Sequence, residues 1–544
     1  MKIFGTIYPF IESGEQSYRL GRHVANYEFF KSLLCESGFD EFHVFCMSVS
    51  HFNMTKNRLL KESIPATQKQ KVKLFLYNHL VDQIRSTRYH VFHLGGWGYF
   101  FPGLVYLRNK YANNKFPITG LIHSLNGIET NFHALKICTA PLLPYDTIVC
   151  SSNAGKKVLE NIFCAVNSHN GAIAYQGAVS IIPLGINEAL LKTPPKKECR
   201  TRLGLDEKDC VVLHVGRFSP NTKADLYPLI SVFNRLTRTI PDKSLKLICA
   251  GGADSKQTQL VDGMISEFDL AKSVRVINNF TDAQKSDLYG ASDIYVSLSD
   301  NLQETFGISV IEAMGAGLAC VVSDINGYTE LIEHKKNGFR IPTLWIDRLP
   351  LAELSDIMDF ETMQLFLAQC MAINTEELYS CCNELIHDEN LRSATGENAR
   401  QTVQQTFLWK HIIKKYEALW DRVYEQSVSH SPKIPVKENP FQNDYLNLFR
   451  HYPTAVITDT DVCTITGDGK EALKTGKIPL TYSNIGSIIT DETVIKILEY
   501  IAGKPRTTGA VVSLDSLPVK QDEIRYSLLW MAKYSLIHIN KGKP

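Results

Sequence analysis

The chain has almost no net charge. Its 544 residues carry 58 lysines and arginines against 57 acidic residues, a formal balance of +1. Such a chain has no global field to recruit nucleic acid or an anionic membrane surface. It also lacks an apolar run long enough to span a bilayer, and Met1-Lys2-Ile3-Phe4 leads directly into an apparent first strand, so no leader segment is expected. The thirteen cysteines include no C-x-x-C pair. Cys381 and Cys382 are adjacent and read as core residues rather than metal ligands. Scattered thiols of this kind suit a reducing compartment, and a cytoplasmic location is expected. What remains is a globular composition, 44% hydrophobic and 21% charged. The length exceeds one hydrophobic core and predicts two or three domains.

The stretch 300–324 organises the rest. It reads D-N-L-Q-E-T-F-G-I-S-V-I-E-A-M-G-A-G-L-A-C-V-V-S-D. The apolar run 294–298 before it predicts a buried strand. Ile308, Ile311, Ala313 and Met314 then fall at helical spacing, Gly315 and Gly317 end the helix, and 319–322 predict the next buried strand. Strand, turn, helix and strand make the unit of a parallel α/β sheet. Glu304 lies in the turn and Glu312 in the helix, with seven residues between them. Phe306, Gly307 and Ile308 are expected to offer free backbone N–H groups at the helix start. Such a terminus attracts phosphate through its unpaired donors and its dipole. Carboxylates on either side of it are suited to accept hydrogen bonds from hydroxyls, as on a sugar and a ribose.

Glu-x7-Glu around Phe306-Gly307, followed by E-A-M-x-A-G and V-V-S-D, resembles the retaining nucleotide-sugar glycosyltransferases of family 4. The alternative is an ordinary Rossmann-type helix with chance glutamates, and the motifs below, which fall in the family's order, weigh against it. The resemblance covers residues 1–426 and implies an α/β GT-B fold, two doubly wound Rossmann-like domains facing across a cleft. Residues 1–195 would form the acceptor-side domain and 201–400 the donor-side domain, with 401–426 a crossover helix returning to the first.

In the first domain, residues 2–8 predict a strand followed by a polar loop. The family's loop at this place approaches the donor pyrophosphate. The expected Gly-Gly pair is missing here; Gly14 and Gly21 are both candidates, and the sequence does not choose between them. The strand 116–123, F-P-I-T-G-L-I-H, ends in His123, outside the carboxyl end of a strand where open α/β sheets place their chemistry. It matches the family's histidine near sugar and acceptor; the alternative is a capped loop histidine. His93 sits similarly at the end of 90–94 with weaker family support. Lys196, Lys197, Arg200 and Arg202 follow Pro194-Pro195 and read as a solvated linker face. The strand 210–215 runs into Arg217 and, six residues on, Lys223. Arginine supplies a planar fork and lysine a point charge, so the two can clamp a pyrophosphate. The resemblance places both on the donor's diphosphate, although Lys223-Ala224 stands where the family has Lys-Gly. The alternative is a pair of surface cations. The strand 246–250 ends at Gly251-Gly252, a close backbone approach.

Residues 427–440 are polar with three prolines and read as a linker. The module 432–544 lies outside the family pattern. Helices are expected at 491–502 and 521–534 with a weak one between, then a strand at 536–539, a small winged-helix-like mixed α/β arrangement. The third helix carries Asp522, Glu523, Arg525 and Lys533, with no net charge, which favours docking of a protein or peptide over DNA. Asp459-Thr460-Asp461 resembles the metal-binding D-x-D of another glycosyltransferase fold but reads as a turn. The resemblance implies transfer of a sugar from a nucleoside diphosphate sugar to a hydroxyl of a glycan, lipid, peptide or small molecule, with retention and without cofactor or metal. Glu304 would hold the sugar hydroxyls, Glu312 the ribose, Arg217 and Lys223 the leaving diphosphate, and His123 the sugar or acceptor. The alternatives are a nucleotide-sugar sensor acting through the C-terminal module and an epimerase on the same fold.

Overall fold

The computed structural model describes residues 1–7, 21–170, 173–429, 437–479, 481–486, 488–514, 516–517 and 519–542. They divide into two compact units, residues 1–47 with 52–439, and residues 48–51 with 440–544. Among the described residues no helix is long and apolar enough to cross a membrane.

The larger unit contains two parallel sheets. The first has seven strands: β1 (Ile3–Ile7), β2 (Glu41–Cys46), β3 (Val72–Leu76), β4 (Val91–Leu94), β5 (Ile118–Leu121), β6 (Thr147–Cys150) and β7 (Ala178–Ile181). Their order is β3-β2-β1-β4-β5-β6-β7. The second has six: β8 (Cys210–Val215), β9 (Leu245–Gly251), β10 (Val274–Asn278), β11 (Ile294–Ser297), β12 (Ala319–Ser323) and β13 (Phe339–Ile341), in the order β10-β9-β8-β11-β12-β13. Most of these strands are short, almost wholly buried apolar runs, as expected for parallel strands covered on both faces. In both sheets the order reverses beside the first strand, between β1 and β4 and between β8 and β11. That reversal opens a crevice at the carboxyl ends, where such folds bind ligands. At the second crevice the backbones nearly touch. A Cβ on Gly251 would lie 1.6 Å from the carbonyl oxygen of Gly216, so only glycine allows the ends of β8 and β9 to close together.

The helix Trp409–Ser429 returns to the first lobe. Its Tyr416 and Trp409 rings pack on Phe29 of the helix Gly21–Glu36, at 4.9 and 5.9 Å between centroids. Trp420 donates to the Thr119 hydroxyl at 3.2 Å, and Asp421 pairs with Lys2 at 2.7 Å. One expectation holds only in part. The cations after Pro195 stand on the helix Lys196–Leu203 rather than on a linker; Lys196, Lys197 and Arg202 are exposed as expected, Arg200 is buried, and each finds an acid. Arg200 is buried against Asp293 at 2.8 Å, Lys196 reaches the same carboxylate, Arg202 reaches Asp287 and Lys197 reaches Glu207. Arg200 also donates to the carbonyls of Ala291, Glu207 and Asp209, so its burial is compensated at every nitrogen.

After β13 the chain makes an excursion closed by an antiparallel pair, β14 (Thr343–Trp345) with β15 (Met371–Ile373), which carries the helix Phe360–Gln369. The smaller unit is a three-stranded antiparallel sheet, β17 (Arg506–Thr507), β16 (Val462–Ile465) and β18 (Ile537–Asn540), in that order. The helices Asp491–Ala502, Thr508–Val512 and Gln521–Lys533 cover it, burying Val494, Ile497, Leu498, Ile524, Leu528 and Met531 around Cys463. Asp459 and Thr460 form a turn. Asp461 is buried and accepts the N–H groups of Thr458 and Gly542 beside the Lys541 ammonium at 2.9 Å, which is structural use of the D-x-D.

Candidate active site

Residues from both crevices of the larger unit converge. From the loop after β8 come Arg217 and Lys223, and from the turn after β11 comes Glu304. The Lys223 ammonium lies 2.5 Å from one Glu304 oxygen, and the other accepts the N–H of Phe306 at 3.3 Å. Burial would raise the Glu304 carboxyl, but the Lys223 charge and hydrogen bond, the Phe306 N–H and the Arg217 guanidinium outweigh it and hold it below its ordinary value. Lys223 is held through its backbone, its N–H on the Ser219 carbonyl at 2.8 Å and its carbonyl on the Asn301 amide. Arg217 donates to the Thr222 carbonyl at 3.3 Å. The Gln303 amide, turned to satisfy both its ends, accepts from Arg217 at 3.1 Å and donates to Thr222 at 2.9 Å. Arg217, Ser219, Thr222, Gly252, Asp254, Gln257 and Glu361 line a polar hollow beside this cluster.

The helix Ile308–Gly315 begins at Gly307, whose φ is +120°. Of the three amides expected to be free at this start, that of Phe306 is taken by Glu304, because the two-residue spacing folds the carboxylate back onto its own backbone. Among the described residues none accepts from Gly307 or Ile308. Glu312 lies four residues into the helix and is buried. The Tyr289 hydroxyl donates to one of its oxygens at 3.0 Å, and the Lys285 ammonium meets the other. Both partners stand on the helix Asp282–Ala291. Neither was legible beforehand, because nothing local marks Lys285 or Tyr289 and only the sheet topology brings them to Glu312.

The first lobe supplies His123, just past β5. Its Nε2 lies 2.8 Å from the Asn26 side-chain oxygen and 3.1 Å from the Gly95 carbonyl. Two acceptors at one nitrogen put the proton on Nε2 and leave Nδ1 as an acceptor. Burial, with the nearby Arg22 charge, pushes the His123 pKa down to about 4, so the ring is neutral at pH 7. His93 is fully buried, 2.7 Å from the Thr119 hydroxyl and packed on Trp420, and is a core residue. Gly21 is the first residue of a helix and not a loop glycine; a Cβ there would meet no atom within 4 Å. Gly14 lies outside the described residues.

Hydrogen bonds join the lobes beside the site. Thr305 donates to the His123 carbonyl and accepts on its own carbonyl from Ser152, each at 2.6 Å. Glu330 accepts the N–H groups of Asn153 and Ala154, both at 3.0 Å, at the start of the helix Asn153–Asn170. Asn126 donates to Gln364 of the excursion at 2.7 Å.

Residues 195–349 match the family model described as glycosyl transferases group 1. A D-inositol 3-phosphate glycosyltransferase of Thermobispora bispora is 27% identical over 188 residues, 33% of this chain and 43% of that protein. The N-acetyl-alpha-D-glucosaminyl L-malate synthase of Bacillus anthracis is 22% identical over 223 residues, 41% of this chain and 48% of that protein. The chain thus spans less than half the length of these two relatives. Among solved structures, HepE of Anabaena in complex with UDP and glucose has a TM-score of 0.54 and 16% identity, covering 77% of this chain and 99% of that one. Sucrose-phosphate synthase of Thermosynechococcus elongatus has a TM-score of 0.53 and 15% identity, covering 78% and 100%. These likenesses establish the two-lobed GT-B architecture.

Proposed function

We propose that the chain is a retaining glycosyltransferase that moves a sugar from a nucleoside diphosphate sugar to an acceptor hydroxyl. One observation carries this reading, the cluster of Arg217, Lys223, Glu304 and the open amides of Gly307 and Ile308 at one crevice, tied through Thr305 to the loop of His123 on the other lobe. Two cations and a helix start converge on a place fit for a diphosphate. In the reaction the bond from C1 of the sugar to the diphosphate oxygen breaks and leaves its electron pair on that oxygen. The acceptor oxygen bonds to C1 on the same face, and its proton passes to the departing phosphate. The negative charge that grows there is met by Arg217, Lys223 and the amides, which therefore act most strongly in the transition state. These groups supply the countercharge, and the reading calls on no metal. Glu304 accepts hydrogen bonds from the sugar hydroxyls and Glu312 from the ribose. His123, neutral with the proton on Nε2, accepts a hydroxyl hydrogen at Nδ1 and does not give up a proton. The HepE complex with UDP and glucose supports a donor of this class. In this reading the smaller unit is a winged-helix-like docking module for a peptide or protein acceptor.

The test is incubation with UDP-, GDP- and ADP-sugars, following nucleotide release and, by NMR, the anomer formed. Release of nucleoside diphosphate with an axial donor bond kept axial is expected. Binding without release would make the chain a sensor, and an altered free sugar would make it an epimerase.

A further inference from the structure

The Glu312 carboxylate already has a partner on each oxygen, Lys285 on one and Tyr289 on the other. Each oxygen keeps a second acceptor position. The Lys285 ammonium has three N–H donors, and among the described residues Glu312 is its one acceptor. Its side chain is 20% exposed and that of Glu312 is 7% exposed, so the pair is desolvated but open on one side. A lysine that served only to tie two helices would duplicate Tyr289, which spans the same gap with a hydroxyl suited to it. What the pair presents is a donor and an acceptor side by side, in a nearly dry place, with Glu312 on the helix that starts at the diphosphate cluster and Lys285 on the neighbouring helix Asp282–Ala291.

We propose that Lys285 is a specificity-determining residue that reads a ribose hydroxyl together with Glu312. The inference rests on the glycosyltransferase reading and deepens it. A hydroxyl both gives and takes a hydrogen bond. Glu312 takes from it, and one of the remaining Lys285 N–H groups gives to it. The vicinal diol of a ribonucleotide fits this alternation; a deoxyribose lacks one hydroxyl and forgoes a hydrogen bond to a charged group.

The experiment measures binding of UDP, GDP and ADP by calorimetry, then of the 2′-deoxy and 3′-deoxy forms of whichever binds. The intact chain is expected to bind one of the two deoxy forms about 10- to 100-fold more weakly, the range of a hydrogen bond to a charged group. Lys285→Met should erase that discrimination and raise the donor KM with little change in kcat, while Lys285→Arg should keep both. Equal binding of all three nucleotides by the intact chain, or an equal loss on all three in Lys285→Met, would overturn the role of Lys285. If Lys285→Met does not fold, a crystal structure of the intact chain with UDP decides. Nζ of Lys285 within hydrogen-bond reach of a ribose oxygen supports the assignment, and a side chain turned away ends it. Failure of the intact chain to bind any of the three diphosphates would instead overturn the glycosyltransferase reading.

Discussion

At the scale of single residues, charge explains both what Arg217 and Lys223 do and what they cost to remove. Arg217→Ala and Lys223→Met should lower kcat more than they raise the donor KM, because the charge they face grows as the diphosphate leaves. A loss of about 100- to 1000-fold in each, the range for a removed oxyanion donor, is expected in steady-state kinetics. Lys223→Met should also lower stability, since it strands the Glu304 carboxylate. Asp300 behaves in the opposite sense. It is buried past the end of β11, with one oxygen on the Asp225 N–H at 3.1 Å and the other without a partner among the described residues. Burial pushes its carboxyl from 3.8 up to about 7. Between those values the folded chain holds a proton that the unfolded chain has released. Its contribution is therefore full below the unfolded value and is lost as pH rises through about 7. Asp300→Asn keeps the bond from Asp225 and removes the titration. Thermal melts should show a gain that grows with pH, by roughly 2–3 kcal/mol between pH 5 and pH 8 at about 1.4 kcal/mol per pH unit. An equal effect at both pH values would show that Asp300 does not titrate in this way.

At the scale of elements, the helix Ile308–Gly315 depends on one backbone conformation. Gly307 has φ +120°, and a Cβ there would lie 2.5 Å from the Tyr328 ring, which is fixed by its hydroxyl against Ser297 at 2.9 Å. Gly307→Ala should cost roughly 2–3 kcal/mol in urea unfolding, from strain and overlap together. Gly21→Ala, where there is space and a helical backbone, should change stability by no more than about 0.5 kcal/mol. The elements around this helix were the most legible part of the chain. The apolar runs at 294–298 and 319–322 are β11 and β12 within a residue, because a buried parallel strand must be a continuous apolar run. The pair β14 and β15 was not legible, since each has three residues, too few for a period to show. Nor was β16, a four-residue strand that lies in the middle of its sheet. Partners escaped for a different reason. Arg200 looks solvated until the fold brings Asp293 beside it, and Lys285 looks like a surface lysine until Glu312 is brought to it.

At the scale of the whole molecule, the chain ends one compact unit near Asn439 and builds another from Pro440 onward together with the short segment Ser48–His51. The smaller unit has its own apolar core around Val494, Leu498, Leu528 and Met531. A chain cut after Asn439 should remain folded and hydrolyse donor at the full-length rate, while losing transfer to a macromolecular acceptor through lower effective concentration. Loss of hydrolysis in the cut chain would mean that the second unit supports the first. Within the larger unit, the contact of Glu330 with the start of the helix Asn153–Asn170 has a use of its own. The carboxylate comes from one lobe and the amides from the other. Those amides are held only while the lobes are together. Their hydrogen–deuterium exchange is then a built-in gauge of how long the lobes stay closed. Donor binding should slow exchange at Asn153 and Ala154, and Glu330→Gln should quicken it without touching a single substrate contact.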